Sequence, residues 1–320
     1  MSDLLTVSGL QTWFTLGGGS TVKAVDGVDF TIRRGEIVGV VGESGCGKST
    51  LGRTILALEK KTGGTVAFED ADPFALDHSE EKTFRRRTAM VFQDPSSSLN
   101  PRKRVDQLLS QPLRVHGVGT RTDWRARIDD ILSETGIASD ARNRYPHQFS
   151  GGQKQRIGIA RALMLDPEFI VLDEAVSALD VSIQAQILNL LLDLKEKRDL
   201  TYLFISHDLS VVEFVSDRII VMYLGRIVEE APKRILVDKP LHPYTEALMK
   251  AFPTTDLSTR GTSIRAVEGD VPSPINPPSG CHFAPRCPFA TDKCRTKYPP
   301  LVSLDDDRRV ACWLHTDEGT

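Results

Sequence analysis

Residues Gly42 to Ser49 read Gly-Glu-Ser-Gly-Cys-Gly-Lys-Ser and satisfy every fixed position of the phosphate-binding loop pattern G-x-x-x-x-G-K-[ST]. The octet follows Glu36-Ile-Val-Gly-Val-Val41, which reads as a buried strand. It precedes Ser49-Thr-Leu-Gly-Arg-Thr-Ile-Leu-Ala57, which reads as a helix. This strand–loop–helix order limits the chain to an α/β fold with a parallel sheet. Glycines let successive N–H groups curl toward phosphate oxygens, and the helix start adds its partial positive charge. The expected nucleotide contacts are Gly42, Ser44, Gly45, Cys46, Gly47, Lys48, Ser49 and Thr50. Lys48 reaches the β- and γ-phosphates, and the Ser49 hydroxyl holds Mg²⁺.

The 320 residues suit one large α/β domain with an appendage. A formal net charge of −3 shows no basic excess, so a nucleic-acid partner is not expected. The short run Arg85-Arg86-Arg87 reads as solvated surface. No apolar stretch reaches the length of a membrane span. The start, Met1-Ser-Asp-Leu-Leu5, lacks the pattern of a signal peptide. The expected location is cytoplasmic, or peripheral on the cytoplasmic face of a membrane.

Residues 4–8 and 22–32 alternate as antiparallel strands do, with Gly17-Gly-Gly-Ser20 as the turn between them. From 36 to about 230, strand candidates at 36–41, 65–69, 88–93, 168–173, 201–206 and 218–223 alternate with helical patterns. The helix-rich stretch from about 104 to 165 reads as an inserted subdomain. Beyond about 255 the prolines crowd, which excludes long helices and central strands. The expected domains are therefore 1–255 and 256–320.

Phe169-Ile-Val-Leu-Asp-Glu174 is an apolar strand that ends in two carboxylates. Strand periodicity puts Asp173 and Glu174 on opposite faces, so that one serves Mg²⁺ and the other the attacking water. Phe149-Ser-Gly-Gly-Gln-Lys-Gln-Arg156 precedes a helical run. With these motifs the chain resembles the ATP-binding-cassette (ABC) ATPases, whose signature is Leu-Ser-Gly-Gly-Gln; Phe149 replaces the leucine here. The remaining family motifs occur in order: Gln93 of the glutamine loop, Ser177-Ala-Leu-Asp180, and His207 in Phe204-Ile-Ser-His-Asp-Leu209.

The resemblance implies an ABC cassette with a mostly parallel core sheet, an antiparallel β subdomain, a helical subdomain and a small C-terminal extension. It implies ATP and Mg²⁺ as ligands. Glu174 polarises water, His207 contacts the γ-phosphate, and Lys48 offsets its charge. Ser49, Gln93 and Asp173 serve Mg²⁺. Phe14 stacks on adenine, with Trp13 as its rival. Ser150, Gly151, Gly152, Gln153 and Asp180 complete the set, and the signature acts on a partner's nucleotide. One motif set per chain implies a dimer with a second related ATPase, or with a second copy. The family usually carries proline after the two acids, where this chain has Ala175.

Gln93-Asp-Pro-Ser-Ser-Ser-Leu-Asn-Pro-Arg102 resembles the extended glutamine loop of the oligopeptide and dipeptide importer ATPases. His242-Pro-Tyr-Thr-Glu-Ala-Leu248, Gly269-Asp-Val-Pro-Ser-Pro274 and Pro277 to Ala290 resemble their cassette end and extension. The triple serine and the run Arg85-Arg-Arg87 look like the second ATPase of such pairs. Members work beneath two membrane permeases fed by an extracytoplasmic solute-binding protein. Peptide import is the implied function. Import of a metal chelate or sugar, a soluble non-transport cassette and an iron–sulfur redox protein with an accessory nucleotide site are the alternatives.

Cys281, Cys287, Cys294 and Cys312 follow a C-x5-C-x6-C-x17-C spacing. Grouped thiolates in a reducing compartment point to metal. Four suit tetrahedral zinc or an iron–sulfur cluster, and the C-x2-4-C pairs of structural zinc sites are absent. The wider spacing, and the resemblance to tails that carry one, give [4Fe–4S] as the expectation, with zinc as runner-up and metal-free cysteines third. A metal would staple a tail too small to hold itself together. His282 and His315 are substitute ligands in this reading.

Overall fold

The computed structural model describes residues 2–251, 272–305 and 307–316. The expected domain boundary at 255/256 and the expected motif residues 269–271 lie outside the described residues. The chain opens with β1 (Asp3–Thr15), β2 (Thr21–Arg33), β3 (Ile37–Val41) and β4 (Gly63–Phe68). β5 (Thr88–Val91), β6 (Phe169–Asp173) and β7 (Thr201–Ile205) follow. β8 (Arg218–Tyr223), β9 (Arg226–Pro232), β10 (Val302–Leu304) and β11 (Arg308–Val310) complete the described strands. The chain forms two compact units, each discontinuous in sequence.

One unit comprises Met1–Leu4, Arg33–Ile37 and Asp70–Ile205. Its strands run in parallel in the order β5-β6-β7, with Thr88 opposite Phe169 and Phe169 opposite Thr201. All five residues of β6 and of β7 are buried. That explains why these strands read as unbroken apolar runs rather than alternating ones. Helices Val105–His116, Arg121–Glu134 and Gly151–Leu163 bury Leu109, Ile131 and Ile157. Gly117 ends the first of these helices in the left-handed conformation, which glycine adopts at little cost.

The other unit comprises Leu5–Ile32, Val38–Glu69 and Ser206–Thr320. Its first sheet has the order β2-β1-β4, and β1 pairs antiparallel with β4. A second set runs β10-β11-β9-β8-β3. β3 and β8 are parallel, with Val38 opposite Arg218; the pairs from β8 through β9 and β11 to β10 are antiparallel. β3 is buried along its whole length, so its C-terminal end delivers the phosphate loop from a rigid base.

Every expected strand between 36 and 223 forms, displaced by at most two residues at either end. β9, β10 and β11 were not anticipated. Arg309 anchors β11 by pairing with Glu230 and donating to the Asp29 carbonyl at 2.8 Å; Arg308 donates to the Ile235 carbonyl at 3.0 Å. A short strand rich in arginine does not look like a strand in isolation, because its partners come from distant segments.

The basic run at 85–87 is more than solvated surface. Arg87 grips Glu168 through Nε at 2.6 Å and Nη2 at 2.9 Å, and Arg34 Nη1 adds a third donor at 2.7 Å. The Arg87 hydrogen bonds, helped by Arg34, hold the Glu168 carboxyl down at about 2 against an ordinary 4.5. A depressed carboxyl stabilises the fold above its unfolded value, and that contribution fades as pH falls toward about 2. Because the group is partly exposed, screening holds the effect to about 1 kcal/mol. Glu168→Gln should therefore lower the unfolding temperature at pH 7, and its deficit against the parent should shrink steadily below about pH 4.5. A deficit that does not change with pH would reject the ion pair as its source.

Candidate nucleotide site

In the unit that holds β3, the loop after Val41 turns through Gly42, Gly45 and Gly47, with φ of 158°, 79° and 104°. At Gly47 a Cβ would stand 1.9 Å from the Ala24 carbonyl oxygen, so both the angle and the space demand glycine. Helix Lys48–Ile55 starts directly after it, and Leu51 N–H donates to the Gly47 carbonyl at 2.9 Å. Lys48 is buried and donates from Nζ to the carbonyls of Gly42 at 2.7 Å and Glu43 at 3.0 Å. The cation thus ties the loop back on itself. Burial pushes the Cys46 thiol up, although Lys48 beside it works in the opposite direction. Ser44 and Gly45 are exposed, and Ser49 and Thr50 are half-buried.

His207 is exposed, just past the buried Ser206. Phe14 lies near the end of β1 and is 38 % exposed. Its rival Trp13 is engaged: its Nε1–H donates to Asp26 at 3.2 Å, and Lys23 Nζ sits 4.7 Å from its ring. Phe14 is therefore the more exposed of the two rings.

The unit that holds β6 carries the carboxylates. Asp173 ends β6 with 2 % of its surface exposed. Glu174 does not continue the strand. Its φ is +46°, a left-handed conformation that costs a non-glycine residue free energy. Glu174 N–H donates to the Ile205 carbonyl at 2.9 Å, and the Ser177 hydroxyl donates to the Glu174 carbonyl at 3.0 Å. These two bonds hold the turn. Gln93 Nε2 donates to Glu174 Oε2 at 2.8 Å. Glu174 thus lies outside the strand, in a turn, so strand alternation does not set its direction. Ala175, where proline was expected, is buried in that turn.

Ser150 caps helix Gly151–Leu163, its hydroxyl accepting from Gln153 N–H at 3.3 Å while Gln153 Oε1 accepts from Ser150 N–H at 3.0 Å. A Cβ on Gly152 would lie 2.5 Å from Ile183 Cγ2, so the signature glycine packs closely on helix Val181–Arg198. Asp180 stands at the N-cap position of that second helix, makes no side-chain cap bond and is exposed. Within each unit, then, hydrogen bonds join Gln93 to Glu174 and Lys48 to its own loop.

The cysteine expectation is corrected. Cys281, Cys287, Cys294 and Cys312 do line one small cavity of about 20 Å³, with Phe283 and Trp313. Among the described residues, however, no group of three or more histidine, cysteine or acidic side chains is arranged to hold a metal ion. Neither a [4Fe–4S] cluster nor zinc is supported. Burial pushes the Cys281 thiol up to about 11 and the Cys312 thiol up to about 12, and it raises Cys287 as well. His282 and His315 are also engaged elsewhere, with the carbonyls of Leu224 and Leu241, each at 3.1 Å. The tail is tied into its unit by β11 on β9, and Cys281 N–H donates to the Cys294 carbonyl at 2.7 Å. Sequence reasoning missed this because spacing counts thiols without reporting how they are buried.

A family described as "ABC transporter" matches residues 25–177, and one described as "Oligopeptide/dipeptide transporter, C-terminal region" matches residues 228–294. AppF of Bacillus subtilis, an oligopeptide transport ATP-binding protein, is 49 % identical over 92 % of this chain and 90 % of its own length. YkfD of the same organism is 49 % identical over 99 % of this chain and 97 % of its own. The solved dimer of the ATP-binding cassette MJ0796, in a post-hydrolysis state with ADP and Pi, is 31 % identical. It aligns with a TM-score of 0.65 over 72 % of this chain and 99 % of that one. The chain belongs to the ABC transporter ATP-binding proteins of the oligopeptide/dipeptide type, and it is an ATPase of that family.

Because burial pushes these thiols up to about 11 and about 12, Cys281 and Cys312 should be alkylated by iodoacetamide at pH 8 about a hundredfold more slowly in the folded than in the urea-unfolded chain. Mass spectrometry of the labelled peptides reads this directly. Equal rates in both states would place these thiols at the surface.

Proposed function

We propose that this chain is the ATP-hydrolysing subunit that powers import of peptides through partner membrane permeases. The observation that carries the reading is the Gln93–Glu174 hydrogen bond at the end of a buried acidic strand. It holds an acceptor carboxylate in one orientation, as a base that must address water requires. The chain also matches the oligopeptide/dipeptide transporter C-terminal region, and AppF, 49 % identical, is an oligopeptide transport ATP-binding protein.

In this reading Lys48 leaves the loop carbonyls and contacts the β- and γ-phosphates. N–H groups from Gly42 to Thr50, with those of Ser44, Gly45, Cys46, Gly47 and Ser49, cradle the same oxygens. Phe14 stacks on the adenine. Glu174 accepts the proton of the attacking water, and His207 contacts the γ-phosphate. The Ser49 hydroxyl, the Asp173 carboxylate and Gln93 are hard oxygen donors of the kind Mg²⁺ takes. Mg²⁺, when bound, offsets negative charge on the β- and γ-phosphates. Ser150, Gly151, Gly152, Gln153 and Asp180 face the nucleotide of a second cassette. That cassette is a related ATPase subunit, with a second copy of this chain as the alternative. Residues 1–255 act as the cassette and 256–320 as its extension. Two permeases and an extracytoplasmic solute-binding protein complete the importer, with this subunit peripheral on the cytoplasmic face. Among the described residues no helix is long and apolar enough to cross a membrane, which fits dependence on such partners.

Glu174→Gln should reduce ATP hydrolysis about a hundredfold or more while leaving MgATP binding in place. Lys48→Ala should lose the binding itself. Undiminished turnover in Glu174→Gln would remove that residue as the base. In vesicles that hold the reconstituted importer, peptide should stimulate hydrolysis; stimulation by a sugar or metal chelate instead would reassign the cargo.

A further inference from the structure

A phosphate-binding loop works best when its surface is neutral or positive, yet the second residue of this one is an acid. Glu43 is half-buried beside the backbone that would cradle the phosphates. An uncompensated carboxylate there would repel a polyanion and weaken its binding.

The compensation comes from far along the chain. Arg286, in a single helical turn Ala284–Arg286, is almost fully buried with a side-chain exposure of 5 %. Its Nη1 and Nη2 donate to the two Glu43 carboxylate oxygens at 2.9 and 3.0 Å, a two-pronged charge-assisted pair. Nη1 also donates to the Tyr223 hydroxyl at 3.2 Å. The guanidinium stands 5.8 Å from the Phe283 ring and 5.9 Å from the Tyr223 ring, and those two rings meet edge to face. Burial works against the arginine's charge, but the bonds to Glu43 more than offset it.

The backbone of Glu43 is fastened too. Its N–H donates to the Tyr244 hydroxyl at 2.9 Å, and its carbonyl accepts from Lys48 Nζ at 3.0 Å and from Cys46 N–H at 3.3 Å. Tyr244 packs on Tyr223 and Phe283, with ring centroids 4.6 and 5.4 Å away. One aromatic cluster therefore positions both the phenol that takes the Glu43 N–H and the cation that cancels its charge.

We infer that Arg286 is a positioning residue for nucleotide binding: it neutralises Glu43 and holds that carboxylate away from the phosphates, so that the C-terminal extension sets how tightly the loop takes a nucleoside triphosphate. The inference rests on the reading of residues 42–49 as the ATP phosphate site, which Lys48→Ala tests separately.

The test is equilibrium binding of MgATP to the full chain. Arg286→Met should weaken binding about tenfold, the effect of one unpaired charge close to a polyphosphate. Adding Glu43→Gln to that variant should return the affinity to within about threefold of the parent, because it removes the orphaned charge. The Arg286→Met defect should also shrink between about 0.05 and about 0.5 M salt. A purely structural role would be neither relieved by Glu43→Gln nor screened by salt. Where Arg286→Met does not fold, Arg286→Lys serves: it keeps the charge but not the fork, and should bind about threefold more weakly. Unchanged affinity in Arg286→Met, or a defect that Glu43→Gln leaves in place, overturns the inference. If Lys48→Ala binds MgATP normally, the reading of the loop fails instead.

Discussion

The interaction on which the site depends is the internal tie of Lys48. A buried ammonium carries a large desolvation cost unless oxygen atoms surround it. In this structure the carbonyls of Gly42 and Glu43 provide them. The loop can bring those carbonyls inward only because Gly42, Gly45 and Gly47 adopt positive φ, and because nothing larger than hydrogen fits at Gly47. Helix Lys48–Ile55 then begins where the loop stops, its first turn closed by Leu51 N–H on the Gly47 carbonyl. One lysine and three glycines thus set the loop, the helix start and the position of the neighbouring hydroxyls.

The second set of motifs depends on a different device. β6 is buried along its length and stops at Asp173, and the chain then turns through a left-handed Glu174. Hydrogen bonds to the Ile205 carbonyl and from the Ser177 N–H and hydroxyl secure the backbone of the strained residue, and its side chain is held by Gln93 from the segment after β5. Strain of this kind persists where its surroundings over-determine it. The surroundings are two neighbouring parallel strands, which is why the parallel pairing of β5, β6 and β7 matters more here than the identity of any one apolar residue.

The C-terminal extension is held through protein contacts with the rest of its unit. β11 joins the edge of β9, Arg308 and Arg309 reach carbonyls and an acid on earlier segments, and Phe283 inserts among Tyr223, Tyr244 and His242. Each contact uses surface that the cassette already presents. The four cysteines line a small cavity, and burial raises the thiols of Cys281, Cys287 and Cys312. Their grouping in the sequence reflects shared burial, which spacing cannot distinguish from shared ligation.

Several features were determined by the sequence alone. The octet from Gly42 to Ser49, the apolar run ending in Asp173 and Glu174, and the Ser150-Gly-Gly-Gln153 helix start are local, and each owes its shape to residues within a few positions. The strands from 36 to 223 were legible for the same reason: a strand buried on both faces is an unbroken apolar run bounded by turn residues. Tertiary structure alone decided what depends on partners distant in sequence. It paired Arg286 with Glu43 across 243 positions, turned Arg87 from surface charge into the grip on Glu168, and recruited an arginine-rich β11 as a strand. It also decided that four cysteines share a cavity without forming a metal site. Charge pairing and desolvation act through space, so a one-dimensional pattern can name the groups but not which of them meet.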